Sequence, residues 1–496
     1  MPTPTDETHA LPPPETAPAK PASHDTAPPP ALVDFMMRDW KPASGKLPPP
    51  IAHHQAFRAR RQALGRRFPG ETLVVPTGHE KVRANDTNHR FRPGTDFYYL
   101  TGNEEPDGVL VLLPQEGGGH RELLFVEPNP GRSDKTFFTD RVKGELWVGP
   151  RLGVPESQAR FAVDEARSLS ELPALVESLR GSATHRVLRG LSEQVDARAG
   201  EASERDRQLA QASSELRLLK DAQELRELSA VIASTHRGFE DVIASLKGAV
   251  SEREVEGVFN LRARVEGNDV GYNTIAASGP HACILHWSRN DGKLKAGTLL
   301  LLDAGVEGRS LYTADITRTL PVSGKFTKEQ REVYELVHAA QAAAFREVKP
   351  GHDFMAPNRA AMKVLAEGLE ELGILADAAE ALSDEKQFYK RYSLHNVSHM
   401  LGLDVHDCAQ ARNEVYKFGP LQAGMVLTVE PGLYFQTDDL TVPPRYRGIG
   451  VRIEDDVVVT PRGLRNLSQA IPSEAGEVER WIARVWKSRR SSPGLR

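Results

Sequence analysis

Acidic and imidazole side chains gather at the ends of apolar runs in the C-terminal half of this 496-residue chain: Asp303 and Asp315, then His395, His399 and His406, then Glu430, then Glu454. Asp303 closes the run Leu299-Leu300-Leu301-Leu302. A carboxylate at the mouth of a buried strand is costly unless a cation or hydrogen bonds compensate it. The same arrangement returns at Met425-Val426-Leu427-Thr428-Val429-Glu430, followed by Pro431-Gly432. In Gly450-Val451-Arg452-Ile453-Glu454-Asp455, strand alternation sets Val451 and Ile453 on one face and Arg452 and Glu454 on the other. Each acid alone would read as a turn or cap residue; their recurrence points to convergence on one site.

Four carboxylates and an imidazole supply hard oxygen ligands with one nitrogen, a set that suits two divalent ions such as Mn2+, Co2+ or Zn2+, whose charge four carboxylates would balance. Two ions held close together can carry a bridging hydroxide as nucleophile and polarise a carbonyl, so amide hydrolysis leads among the reaction classes. His395 and His399 are spaced i, i+4, as on a zinc-binding helix, but no Glu follows His395 and Gly402 interrupts soon after. His286, in Cys283-Ile284-Leu285-His286-Trp287, reads on position alone as a packed core histidine.

The elements that must position these residues follow from pattern. A chain of this length calls for two folded domains with tails. Residues 1–50 hold 14 of the 35 prolines and are expected to form a disordered arm; the apolar cluster from Ala31 to Trp40 could dock in a groove but reads first as a loosely tethered linker. Short apolar runs at Thr72 to Val75, Val109 to Leu113 and Leu123 to Val126 give a mixed α/β domain over 51–200. Leu218, Leu225, Leu228 and Ile232 recur at helical spacing, so 201–250 reads as a bridging helical segment. Strands at Thr298 to Leu302, Met425 to Val429 and Val457 to Val459, with helices at Lys328 to Glu347 and Ala360 to Leu372, give a second α/β domain over 251–486, and 487–496 is a basic tail.

With 63 Lys+Arg against 68 Asp+Glu, a net charge of -5 offers no basic field for nucleic acid or anionic lipid. No run approaches the roughly 20 apolar residues of a membrane span. Cys283 and Cys408 are too few for a disulfide framework and read as free thiols of a reducing, cytoplasmic compartment.

The strings Leu302-Asp303-Ala304-Gly305, Asp315-Ile316-Thr317-Arg318-Thr319, Ser398-His399-Met400-Leu401-Gly402-Leu403-Asp404-Val405-His406-Asp407, Thr428-Val429-Glu430-Pro431-Gly432 and Gly450 to Asp455 together resemble aminopeptidase P, the Xaa-Pro aminopeptidase of the pita-bread metallopeptidase family that also contains prolidase. Phe91-Arg92-Pro93-Gly94-Thr95-Asp96-Phe97-Tyr98-Tyr99-Leu100-Thr101-Gly102 resembles the signature of that family's N-terminal domain. The resemblance implies a mixed α/β N-terminal domain followed by a pita-bread α+β catalytic domain of two pseudo-symmetric halves. It implies two metal ions, Mn2+ first: Asp303 and Asp315 on one, Asp315 and Glu454 bridging to a second that also takes His399 and Glu430. It further implies His286 and His406 lining the substrate cleft, His395 beside the metals, Glu430 as general acid/base, and Tyr272 and Arg452 supporting the metal carboxylates. The substrates implied are peptides with proline second, whose scissile bond is a tertiary amide without an N–H. Trp147 resembles a tryptophan that in relatives reaches a neighbouring subunit, which implies a homo-oligomer, a dimer or tetramer.

This chain departs from the family pattern in two places. The loop around Gly308 to Leu311 carries one extra residue between Asp303 and Asp315, which a hairpin tolerates if its strands keep register. The loop between His406 and Glu430 is unfamiliar, and Arg412 there is a carboxylate binder or a solvated loop charge. Competing readings are a prolidase restricted to Xaa-Pro dipeptides, a methionine aminopeptidase, a metal-free creatinase-type hydrolase, and a non-catalytic pita-bread binding module.

Overall fold

The computed structural model describes residues 28–41, 45–85, 87–181 and 184–488. The first part of the expected arm, 1–27, and most of the basic tail, 489–496, lie outside them. The chain divides into two compact units, the second beginning essentially at Ser203.

In the first unit, apolar runs form a five-stranded sheet: β1 (Thr72–Pro76), β2 (Val109–Pro114), β3 (His120–Val126), β4 (Glu165–Ser168) and β5 (His185–Val187), in the order β4-β3-β2-β1-β5. β1, β2 and β3 are antiparallel neighbours, while β4 and β5 join the two edges in parallel. Val74, Val111, Leu123 and Phe125 pack against Leu172, Val176 and Val195 on one face. The Phe91–Gly102 signature becomes a helix, Thr95–Thr101, ended by left-handed Gly102. A fully buried cation braces it: Arg61 donates to the Leu100 carbonyl at 2.9 Å and stands 2.7 Å from the buried carboxylate of Glu122. Of the arm, Pro30–Met36 is a short helix, and Trp40 lies against the rings of Phe137 and Phe138 with Arg132 4.2 Å from its centroid. Leu32 and Phe35 of the cluster stay exposed, so Trp40 alone makes these ring contacts.

The second unit repeats one order of elements. Helices α1 (Ala222–Ser245) and α2 (Glu252–Glu266) precede strands β6 (Ile275–Ser278), β7 (Leu299–Ala304) and β8 (Ile316–Pro321), which pair antiparallel as β8-β7-β6. Helices α3 (Lys328–Glu347) and α4 (Ala356–Glu371) precede β9 (Val426–Val429), β10 (Gly432–Tyr434), β11 (Gly450–Arg452), β12 (Asp455–Thr460) and β13 (Gly463–Asn466). β9-β12-β13 form an antiparallel sheet, and β10 and β11 form a hairpin beside it. These are the two expected halves, sharing one apolar core that includes Phe239, Phe259, Leu302, Val333, Leu365, Leu427 and Val457. α4 starts four residues before the apolar pattern suggested because Pro357 sits in its first turn, where a missing N–H costs nothing.

The stretch 201–250 is helical in two pieces, Glu204–Leu216 and α1, and both lie in the second unit. The break is chemical. Asp221 caps α1 in a reciprocal box with Glu224, and Lys220 turns its ammonium inward to the Arg217 carbonyl at 2.6 Å. There Lys220 and Arg217 each bond one oxygen of Asp407, at 3.0 and 2.9 Å, with all three side chains buried. This staple ties the start of the second unit to the residue that follows His406.

Two stability measurements test these buried pairs. Arg61→Met removes the close cation from buried Glu122 and leaves Arg58 at 4.0 Å, so it should destabilise the first unit by up to about 3–5 kcal/mol, read as an earlier urea transition; an unchanged midpoint would show that Arg58 or solvent takes over the pairing. Burial alone would raise the Asp407 pKa, but Lys220 and Arg217 hold it down at about 2. Because the folded pKa lies below the unfolded one, its contribution of about 2 kcal/mol is complete above about pH 4 and is lost as pH falls toward 2. Urea unfolding from pH 2 to 7 should show this acid-side decline in the wild type and a flatter limb in Asp407→Asn.

Candidate active site

The strands of both halves deliver their acids to one cavity of about 550 Å3. Asp303 ends β7 opposite Thr317 of β8, and Asp315 immediately precedes β8. The two acids are brought together at Gly305, where an added Cβ would stand 1.7 Å from the Ala314 carbonyl oxygen, so only glycine lets the hairpin close. The hairpin turns at Gly308 to Leu311. Gly308 donates to the Tyr312 carbonyl at 2.8 Å and Leu311 adopts a left-handed conformation with φ 61°. Leu311 is buried, and its packing holds a backbone state that a branched chain resists.

The second half contributes His399, Glu430 and Glu454. The His399 and Glu430 backbones are bonded along one register, with Thr428 N–H donating to the His399 carbonyl and Glu430 N–H to that of Val397. His399 Nε2 lies 3.2 Å from Asp315 Oδ2 and 3.5 Å from Glu430 Oε1. Ligand atoms of Asp315, His399 and Glu454 all fall within 4.8 Å of one another. Glu454 accepts from Thr317 Oγ1 at 2.6 Å, and fully buried Arg318 donates to the Glu454 carbonyl at 2.6 Å and to Asp455 at 2.8 Å. Gln341 of α3 adds bonds to Asp455 and to the carbonyls of Val429 and Ile453.

Around the acids stand Tyr272 and Arg452. The Tyr272 hydroxyl is 2.6 Å from both Asp303 Oδ1 and Asp315 Oδ1, close enough to donate to either. Arg452 pairs with Asp303 Oδ2 and donates to Tyr434 Oη at 3.0 Å. Tyr434 Oη in turn meets His395 Nε2 at 2.7 Å. His395 is not on a helix with His399; the backbone from Tyr392 to His399 is irregular, and Gly402 follows at the bend. His286 is exposed rather than packed in the core, and it lines the cavity with His406, whose ring lies edge-on to His399 at 4.4 Å.

These residues fit divalent cations. Burial pushes up the carboxyl pKa values of Asp303, Glu430 and Glu454, and neighbouring carboxylates add to each. Arg452 opposes the rise at all three, and His399 opposes it at Glu430. A set of buried oxygen donors with one imidazole is what divalent cations complete.

Sequence reasoning did not pick out Thr317, Thr428, Gln341 or Tyr434 as supports. Thr317 was within reach of it, since Asp315, Thr317 and Thr319 share one strand face. The cavity wall formed by Phe354, Met355, Tyr416 and Lys417 carried no such signal, because it comes from a helix start and a loop. Arg412 does not line the cavity. It holds Glu215 at 2.6 and 3.2 Å.

Residues 226–461 match the family model for metallopeptidase family M24, and residues 57–188 match that for the aminopeptidase P N-terminal domain. Xaa-Pro aminopeptidase 1 of Streptomyces coelicolor is 48% identical over 456 residues, covering 91% of this chain and 92% of the relative. Xaa-Pro aminopeptidase 2 of the same organism is 50% identical over 429 residues, covering 86% and 90%. The solved structure of aminopeptidase P from Escherichia coli in its low-pH form superposes with a TM-score of 0.80 at 32% identity, over 89% of this chain and all of that one. With its acids, imidazoles and two-half fold already placed, this chain is a hydrolase that belongs to metallopeptidase family M24, in the aminopeptidase P branch.

Proposed function

We propose that the protein is a dinuclear metal-dependent aminopeptidase that removes the N-terminal residue from peptides with proline in second position. The observation that carries this reading is the convergence of Asp303, Asp315, His399, Glu430 and Glu454 from both halves on one cavity. Support for the specificity comes from the relatives, which are named Xaa-Pro aminopeptidases. The proposed holders are Asp303 and Asp315 for one ion, His399 and Glu430 for the other, and Asp315 with Glu454 between them. Divalent ions bound there, Mn2+ in the first instance, would lower the pKa of water and polarise the scissile carbonyl.

The chain's own groups do the rest. Glu430 takes the proton of the attacking water and hands it to the proline nitrogen, which must leave as an amine and has no hydrogen of its own. His286 and His406 flank the reacting peptide group, and His395, oriented through Tyr434, stands behind Glu430 at 3.6 Å. Tyr272 and Arg452 fix the carboxylates of Asp303 and Asp315 so that the acids do not swing apart. Phe354 and Met355 offer the apolar wall that a proline ring needs.

The reading extends to a homo-oligomer of the cytoplasm. Trp147 is 46% exposed, flanked by exposed Leu146 and Val148, an apolar strip suited to a second copy of this chain. Both cysteines are buried free thiols, and no helix among the described residues is long and apolar enough to cross a membrane.

Purified Mn-loaded protein should cleave Xaa-Pro-Xaa tripeptides in preference to Xaa-Pro dipeptides and lose activity on chelation; cleavage of dipeptides alone would make it a prolidase, and metal binding without cleavage of either would make it a binding module. Glu430→Ala should abolish turnover and reduce bound metal, and wild-type turnover in that variant would sink the mechanism. Trp147→Ala should lower the oligomeric mass in light scattering, whereas an unchanged mass removes this strip from the interface.

A further inference from the structure

Between β6 and β7 runs the segment 278–292, which carries His286 into the cavity. Its conformation converges on one side chain that plays no part in the chemistry described so far. Glu252, the first residue of α2, is wholly buried. Its Oε1 lies 2.7 Å from Ser278 N and 2.8 Å from His281 Nδ1, and its Oε2 lies 2.8 Å from Trp287 Nε1 and 2.7 Å from Gly292 N. Its own backbone N–H donates to the Gly292 carbonyl at 3.0 Å. The two ends of the segment, a residue near its start and the residue after His286 are therefore all held by a single carboxylate.

Three further features show that this convergence is built in. At Gly292 a Cβ would stand 2.7 Å from both carboxylate oxygens, so the backbone reaches Glu252 only because the residue is glycine. The Trp287 indole stacks on the His281 ring at 3.9 Å, which seats both donors side by side. Asn290, also fully buried, accepts from Ala276 N at 2.9 Å and donates to the Thr274 carbonyl at 2.8 Å, pinning the returning limb to β6. Between these fixed points the free arc is short, and His286 sits on it with its ring exposed to the cavity.

We propose that Glu252 is a positioning residue for the reaction: by latching 278–292 it sets where His286 stands over the substrate. The proposal rests on the role given to His286 above. Chemistry makes the latch specific to a carboxylate. The N–H groups of Ser278, Trp287 and Gly292 can only donate, and they occupy both oxygens. A glutamine of the same shape must turn its amide N–H2 toward one pair and leave at least one buried donor without an acceptor.

The test uses the full-length, metal-loaded enzyme and an Xaa-Pro tripeptide, with Glu252→Gln, His286→Ala and the double variant. Glu252→Gln should lower kcat by about tenfold or more while KM and bound metal stay near wild type. Amide exchange should rise in 278–292 and stay slow in α3. If Glu252 acts through His286, the double variant should be within about twofold of His286→Ala alone. Losses that multiply in the double variant, a wild-type kcat in Glu252→Gln, or unchanged exchange in the segment would each overturn the proposal. Should Glu252→Gln fail to fold, Trp287→Phe removes one donor and keeps the ring on His281; it should give a smaller fall in kcat with faster exchange, and wild-type values of both would again overturn it. Full activity in His286→Ala would remove that histidine from the reaction and the proposal with it, while exchange in 278–292 still reports separately on the latch.

Discussion

Like charges at close quarters govern this molecule. Asp303, Asp315, Glu430 and Glu454 occupy one cavity, and burial weakens the solvation that would let them share it. Each is restrained by a different device: Tyr272 between Asp303 and Asp315, Arg452 on Asp303, Thr317 on Glu454, and His399 between Asp315 and Glu430. The restraints are mutually dependent, since the Arg452 that pairs with Asp303 also orders Tyr434 and through it His395. Repulsion that would ordinarily open such a cluster is thereby held in a form that strong cations complete.

The framework around the cluster is polar as well as apolar. Arg318 makes bonds to five oxygens, those of Thr317, Glu454, Asp455, Ile471 and Pro472, so one side chain sews strand β8 to the strands of the other half. Such a buried cation is not a cheap source of stability. Its value lies in specificity of register: a slip of β8 by one residue would turn Arg318 into the cavity and Asp315 and Thr317 away from it.

Much of this was legible in the sequence, and for identifiable reasons. Apolar runs ending in an acid marked β7 and β9, and period-two alternation placed Arg452 beside Glu454. Strands such as Val109–Pro114 and helices such as α3 were visible because their pattern outlasts a single turn. Three kinds of feature were hidden. The break at Arg217–Asp221 depends on Asp407, far along the chain. The cavity wall of Phe354, Met355, Tyr416 and Lys417 depends on loops whose paths local pattern does not encode. The exposure of His286 depends on Glu252 and Gly292, two residues that separately look like a helix-terminal acid and a loop glycine. The family resemblance reached His286 where local reasoning had taken it for core.

The division of the site between two halves has a consequence for how the chain is made. Asp303 and Arg452, which meet in the cavity, are separated by 149 positions in sequence. During synthesis the first half emerges with its acids and the edges of β6–β8 uncovered; Tyr272 is already present to meet Asp303, but Arg452 arrives only with β11. Contacts of such long range slow folding and prolong the exposure of unpaired strands. The order of synthesis thus leaves the unpaired edges of β6–β8 waiting for partners that the ribosome delivers last.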